Sequence, residues 1–349
     1  MYGRLWRDAV LVEERATAVT GWSPVSGLPA RVSVTGLAVS LVAAAAAASA
    51  MWPVDIACAR PFLLTVNQKA ALGGGLFVLG ALGTAASGWL TSALLLGRAL
   101  PTRPHLLLLS LSLTQLARVL LAGFPFSATS ALSGRWLFGP GCCQLFAFLR
   151  QFLRLSQSAA LALLSVERLL TTRGKLADGR PRLRYYWAAV VLCWAASAAW
   201  ATPPLFGWGR YECDATAISC DVGWSPSGDR LRYSLPSLLL ADLLPAALAV
   251  TCSWRSLRAG KSWCLHQEPA SAAADQRSFC KTVAWLVASL ELFHAPQILL
   301  QLMSLTDASP LPLLIMIAPL CSEASTILPL LVCLGTHKKL RNTLTGRPT

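Results

Sequence analysis

Glu323 stands at the centre of "PLCSEASTILPL" (319–330), inside the last long apolar run of a 349-residue chain. Six further ionisable residues interrupt other apolar runs: Arg118, Arg150, Arg154, Asp242, Glu291 and His294. With the histidine neutral, the formal charges of these six and Glu323 together cancel. An ionisable group at bilayer depth is costly, faces the interior of a helix bundle and finds a partner there. The spacing fits a shared inward face: Arg150 and Arg154 are four apart, and Gln115–Arg118 and Glu291–His294 are three apart. Two guanidinium forks on one helix face suit bidentate binding of a carboxylate or phosphate. Other chemistries find no support. The four histidines are scattered and the cysteine spacing fits no zinc pattern, so no metal site is read. No phosphate-binding glycine loop and no nucleophile elbow occurs, and the chain is not read as an enzyme.

The elements that must carry these groups are transmembrane helices. The chain is 55% hydrophobic and only 13% charged, about half the charged fraction of a soluble domain, and its mean hydropathy is +0.54. Seven charge-poor stretches have spanning length: Ala70–Gly97, Leu106–Phe126, Leu137–Val166, Trp187–Phe206, Ser234–Trp254, Thr282–Leu305 and Leu311–Gly335. Within hydrocarbon each must satisfy its own backbone polar groups, so each is read as a helix. An earlier run, Val32–Met51, holds six consecutive alanines and is a candidate extra segment. Alternate connections (98–104, 168–184, 254–281, 337–349) carry 17 Lys and Arg, the opposite set (127–136, 204–233, 305–310) only 4. The positive-inside bias therefore places the C-terminus inside and the N-terminus outside. The net charge of +14 is accounted for by topology and membrane lipids and implies no nucleic acid. The expected organisation is an extension over 1–69, a bundle over 70–336 and a cytoplasmic tail over 337–349, in a multi-pass protein of the plasma membrane.

Most of the 11 cysteines lie in apolar runs as small core residues. Cys143 opens the third span on the outer side and Cys220 lies in the long outer loop, where an oxidising environment permits a bridge. By spacing alone, Cys142 and Cys213 are rival partners.

Seven spans with this orientation and an outer-loop bridge resemble a rhodopsin-type (class A) G-protein-coupled receptor, and specific motifs resemble the opsins among them. "PPLFGWGRYECDATAISC" (203–220) resembles the opsin second extracellular loop, and "FGPGCC" (138–143) the entry to the third helix. Counting on from there, "ERL" (167–169) falls on the opsin Glu-Arg-Tyr triplet, so the resemblance selects Cys143 as the partner of Cys220. It also assigns Glu167 and Arg168 to the G-protein switch, with Leu169 in place of the tyrosine. "CW" (193–194) matches the fourth helix, and "HKKLRN" (337–342) the short amphipathic helix after span seven.

The departures from the family are as informative. Reading back from "HKKLRN", Glu323 occupies the position of the lysine that binds retinal as a Schiff base; an amine forms that imine and a carboxylate cannot. The third-helix counterion position falls on Phe146, the sixth-helix tryptophan on His294 and the second-helix aspartate on Gln115. The Asn-Pro-x-x-Tyr motif is absent around Pro329, and the fifth-helix tyrosine is Ser253. No covalently bound retinal is expected.

These residues suggest a charge-swapped pocket in which Glu323 pairs with Arg150, shared with Arg154 and His294. The pair is either a structural strut or part of a pocket for an acidic ligand. Arg118 is read as the residue that snorkels toward lipid headgroups. The functional expectation is an opsin-like receptor without covalent retinal that transduces an unknown ligand to a heterotrimeric G protein. A non-signalling membrane interaction protein and a photoreceptor holding retinal non-covalently are the alternatives.

Overall fold

The computed structural model describes residues 65–96, 103–173, 183–214, 218–222, 228–263, 270–305, 311–336 and 341–342. The candidate segment Val32–Met51 and most of "HKKLRN" lie outside the described residues; Arg341 and Asn342 are helical. The first span is α1 (Val66–Leu96), longer than its apolar run by a polar N-terminal turn. The second is α2 (Arg103–Leu121), followed by the short outer helix α3 (Phe126–Ser133). The third is α4 (Gly139–Thr172), 34 residues long with Pro140 in its first turn, where the missing N–H leaves no bond unmade. The fourth is α5 (Leu183–Ala201).

A hairpin of β1 (Tyr211–Cys213) and β2 (Cys220–Val222) follows, pairing Tyr211 with Val222 and Cys213 with Cys220. Span five comprises α6 (Gly228–Pro236), a π-helical turn over Ser237–Leu243 and α7 (Leu244–Trp263). Span six is α8 (Ala270–Leu305), with Pro296 inside it. Span seven is broken into α9 (Pro312–Ala324) and α10 (Leu328–Thr336), which meet at 51°. The break is local: Thr326 and Ile327 donate to Glu323 and Ala324 in tight three-residue turns, and Pro329 follows.

Among the described residues, five helices and the bent pair are long and apolar enough to cross a membrane. The helix α4 completes the seven and is the one that carries Arg150, Arg154, Glu167 and Arg168. Large apolar side chains such as Trp89, Leu192, Trp254, Trp285 and Leu292 are exposed, as expected of a surface solvated by lipid.

One apolar core packs the inner half of the bundle, around Leu94, Leu108, Leu111, Leu161, Leu164, Leu286 and Leu290. An outer cluster of Trp136, Cys143, Phe146, Tyr211 and Cys220 seats the hairpin on α4. Small residues let helices touch. A side chain at Gly83 would run into Thr326, and one at Gly80 into Phe124, the close approach that membrane helices achieve with glycine. Between the two cores the bundle is polar, and there the charged residues meet.

Candidate functional site

Arg150 and Arg154 both point from α4 into the centre, but toward different partners. The guanidinium of Arg154 pairs with Asp242, which the π-helical turn of span five turns inward; its other nitrogen donates to Gln151 at 2.6 Å. Arg150 donates to the Ser219 hydroxyl at 2.8 Å and stands 3.9 Å from Asp221. Both partners belong to the second outer loop, at the start of β2.

The expected pair between Glu323 and Arg150 is therefore not what the bundle forms. Arg118 and Arg150 both attract Glu323, Arg118 more strongly, and the Phe124 backbone amide donates to its carboxylate. Its second oxygen has no hydrogen-bond partner, and no ion pair of Glu323 lies within 4.0 Å among the described residues. The reason is steric and local. The break after Ala324 turns the carboxylate toward Gly123 at the end of span two, and it lies so close that a Cβ at 123 would collide with it. Gly123→Ala is accordingly expected to cost about 1–3 kcal/mol by overpacking. Thermal unfolding in detergent checks this, and adding Glu323→Ala should restore most of the loss.

Arg118 also departs from expectation. It does not snorkel; it is 6% exposed. Its fork donates to the Ser322 hydroxyl and carbonyl, each at 2.8 Å, to the Ser325 hydroxyl at 2.5 Å and to Gln115. Span two is thereby tied to the broken turn of span seven, whose last carbonyls and hydroxyls are free to accept.

His294 lies between these groups, with its Nε2 3.4 Å from Gln157 Nε2. Glu291 lines an adjoining cavity with Arg154, Asp242 and His294 and makes no ion pair among the described residues. A central cleft is walled by Arg118, Arg150, Gln151, Arg154, Asp221, Val222, Ser234, His294, Gln297, Gln301 and Ser322. Retinal is an apolar polyene joined to an amine. Among the described residues no lysine lines this cleft to form the imine, and a polyene would meet a wall of charged and amide groups with one aliphatic side chain; the residues present do not fit it. The position expected to carry a counterion is aromatic: Phe146 is buried against Phe126 and Trp136.

The Cys143–Cys220 disulfide is formed, with Cα atoms 5.5 Å apart. Cys213 Sγ lies 4.0 Å from Cys143 Sγ and 3.9 Å from Cys220 Sγ. The bridge pins β2 to the top of α4, two helical turns above Arg150. That is how Asp221, a residue the motif reading did not single out, enters the site; its adjacency to Cys220 was the available signal. Tyr211 anchors the other strand, its hydroxyl donating to the Ala201 carbonyl at 2.8 Å, and burial pushes its phenol above the ordinary value.

At the inner end of α4, Arg168 pairs with Glu167, and both are buried. Arg168 also donates to Gln276 of span six at 3.2 Å and lies over the Phe279 ring at 4.7 Å. Glu167 accepts from Thr171 and from Tyr186 at 3.2 and 3.3 Å. A neutral residue, Gln276, thus joins spans three and six here, and no spacing in the sequence pointed to it.

Comparison with known proteins agrees with this architecture. The family described as "7 transmembrane receptor (rhodopsin family)" matches residues 89–339. The visual pigment-like receptor peropsin of Mus musculus is 26% identical over 71% of this chain and 75% of its own length. The rhodopsin of Alloteuthis subulata is 22% identical over 52% of this chain and 42% of its own. The crystal structure of squid rhodopsin superposes with a TM-score of 0.71 at 20% identity, covering 81% of this chain and 86% of that one.

Proposed function

The chain belongs to the rhodopsin family of seven-transmembrane receptors, and on that footing we propose that it is an opsin-like receptor that works without covalent retinal. It would respond to a ligand in its central cleft and pass the signal to a heterotrimeric G protein at the plasma membrane. The observation that carries the first half is Glu323: by the opsin resemblance a carboxylate takes the place of the imine-forming amine, next in sequence to Ser322 in the wall of a cleft lined by guanidinium and amide groups. The second half is supported by the inner end of α4, where Glu167 and Gln276 hold Arg168.

Such a link between spans three and six favours the closed bundle. Ligand binding that favours the open arrangement shifts the population and frees Arg168. Incubation of the purified protein with 11-cis-retinal is expected to give no visible absorbance band and no borohydride-trapped adduct. In a panel of G proteins in nanodiscs, the wild type is expected to accelerate nucleotide exchange and Arg168→Ala to lose at least about tenfold of that rate, the equivalent of 1.4 kcal/mol. A visible band would overturn the first half. A flat panel for both proteins would overturn the second and favour a non-signalling interaction protein.

A further inference from the structure

Three guanidinium groups wall the central cleft, against one carboxylate, Asp221. Arg154 is matched by Asp242. The other two make their hydrogen bonds to neutral groups among the described residues. Every hydrogen bond of Arg118 goes to a hydroxyl, a carbonyl or an amide, and the closest bond of Arg150 goes to a serine hydroxyl. Asp221 cannot serve Arg150 fully. Its Oδ1 accepts from its own strand at Val222 N–H (2.8 Å), and its Oδ2 accepts from Gln297 of span six (3.2 Å), leaving Arg150 at 3.9 Å. Glu323 is turned aside toward Gly123 and Phe124. A guanidinium away from bulk water gains most from an ionised, planar, two-oxygen partner.

We propose that the cleft binds a small polar carboxylate, whose carboxyl bridges Arg118 and Arg150 and takes over from Asp221. The wall sets the rest of the ligand's chemistry. Val222 is the one aliphatic side chain in it; Gln151, Gln297 and Gln301 offer amides, which suit a hydroxyl, amine or second carboxyl on a short carbon skeleton. A long acyl or polyene chain would strip these amides of partners without replacing them. Asp221 then acts as a built-in competitor. Carried by the disulfide-pinned strand β2, it holds Gln297 and stands beside Arg150 when the ligand is absent, and an acid entering from outside releases span six from the loop. This deepens the receptor reading and rests on it.

The test is binding to the full chain in nanodiscs, followed by thermal unfolding at constant ionic strength, with no G protein present. Sodium succinate, lactate and glutamate are the probes; sodium chloride, inorganic phosphate and retinoic acid are the comparisons. At least one of the three carboxylates is expected to raise Tm saturably above the chloride control. Arg150→Gln should weaken that response by at least about tenfold, the loss expected for one charge-assisted contact. Arg258→Gln, whose cation lies over Trp254 outside the cleft, should leave it unchanged.

Asp221→Asn should tighten binding about three- to tenfold by removing the competing charge. That gain needs no destabilised protein to be read, and a merely structural role for Asp221 would not produce it. The proposal is overturned if no carboxylate exceeds chloride, if Arg150→Gln and Asp221→Asn both match the wild type, or if only phosphate or only retinoic acid gives the shift. Because the readout omits the G protein, absence of binding leaves the nucleotide-exchange result standing, and a flat exchange assay leaves a binding result standing.

Discussion

Replacing Arg154 by methionine is expected to destabilise the bundle by about 3–5 kcal/mol, because it leaves the Asp242 carboxyl buried without its cation. The Asp242 side chain is 4% exposed, and its Oδ2 accepts no hydrogen bond among the described residues. The double variant Arg154→Met/Asp242→Leu is expected to return to within about 1–2 kcal/mol of the wild type, since an apolar pair avoids the desolvation of both ions. Unfolding free energies measured in detergent or bicelles close the cycle. If Arg154→Met alone cost less than about 1 kcal/mol, the ion pair would not be what holds span three to the π-helical turn of span five. The pair joins residues 88 positions apart, so its loss should also loosen the turn, seen as faster hydrogen exchange over Ser237–Leu243.

Arg118→Leu carries the second large effect, also about 3–5 kcal/mol. The leucine would remove the cation that acts most strongly on Glu323 and would leave the Ser322 carbonyl and the Ser325 hydroxyl at the span-seven break without their donor. Arg118→Lys keeps the charge but not the fork, so it should recover only part of the loss. A residue snorkelling to lipid would behave differently, with leucine costing less than about 1 kcal/mol. Yield of folded protein and Tm for the three chains distinguish the two situations. The same comparison reads the break itself: with Arg118 gone, proteolysis near Ser325 is expected to accelerate.

Arg118 and Arg150 differ in how far the sequence alone placed them. For both, their depth in apolar runs was enough to place them in the membrane, but only Arg150 was expected to pair within the bundle, whereas Arg118 was expected to snorkel. For Arg118 the local pattern was also informative, since Gln115 one turn earlier does accept from it. Its attachment to span seven was not legible, because that depends on a backbone break that frees hydroxyls and a carbonyl at 322–325. For Arg150 the alignment supplied the correct helix face, but the face looks at two candidates, Glu323 and the outer loop. The loop prevails because the Cys143–Cys220 bridge delivers β2 to within reach, while Gly123 gives Glu323 a recess of its own. Gln276 and Gln297 carried no signal at all; an amide is an ordinary residue until a charge is packed against it.

The sequence by itself determined that this chain lies in a membrane, how many times it crosses and which family it resembles, and its basic loops set the expected orientation. Its resemblance to the opsins also led to the expectation that Glu323 takes the retinal-lysine position. These properties follow from local quantities: the length and polarity of each run, the distribution of basic loop residues, and short motifs whose spacing is read along one strand of chain. Which charges meet was decided only by the tertiary structure. Pairing depends on the rotation of each helix, on a bend of 51° in the last span and on a disulfide joining residues 77 positions apart. A shift of one or two ångströms at 3–4 Å separation chooses between a salt bridge and a bare carboxylate, and periodicity along the chain contains no such distance.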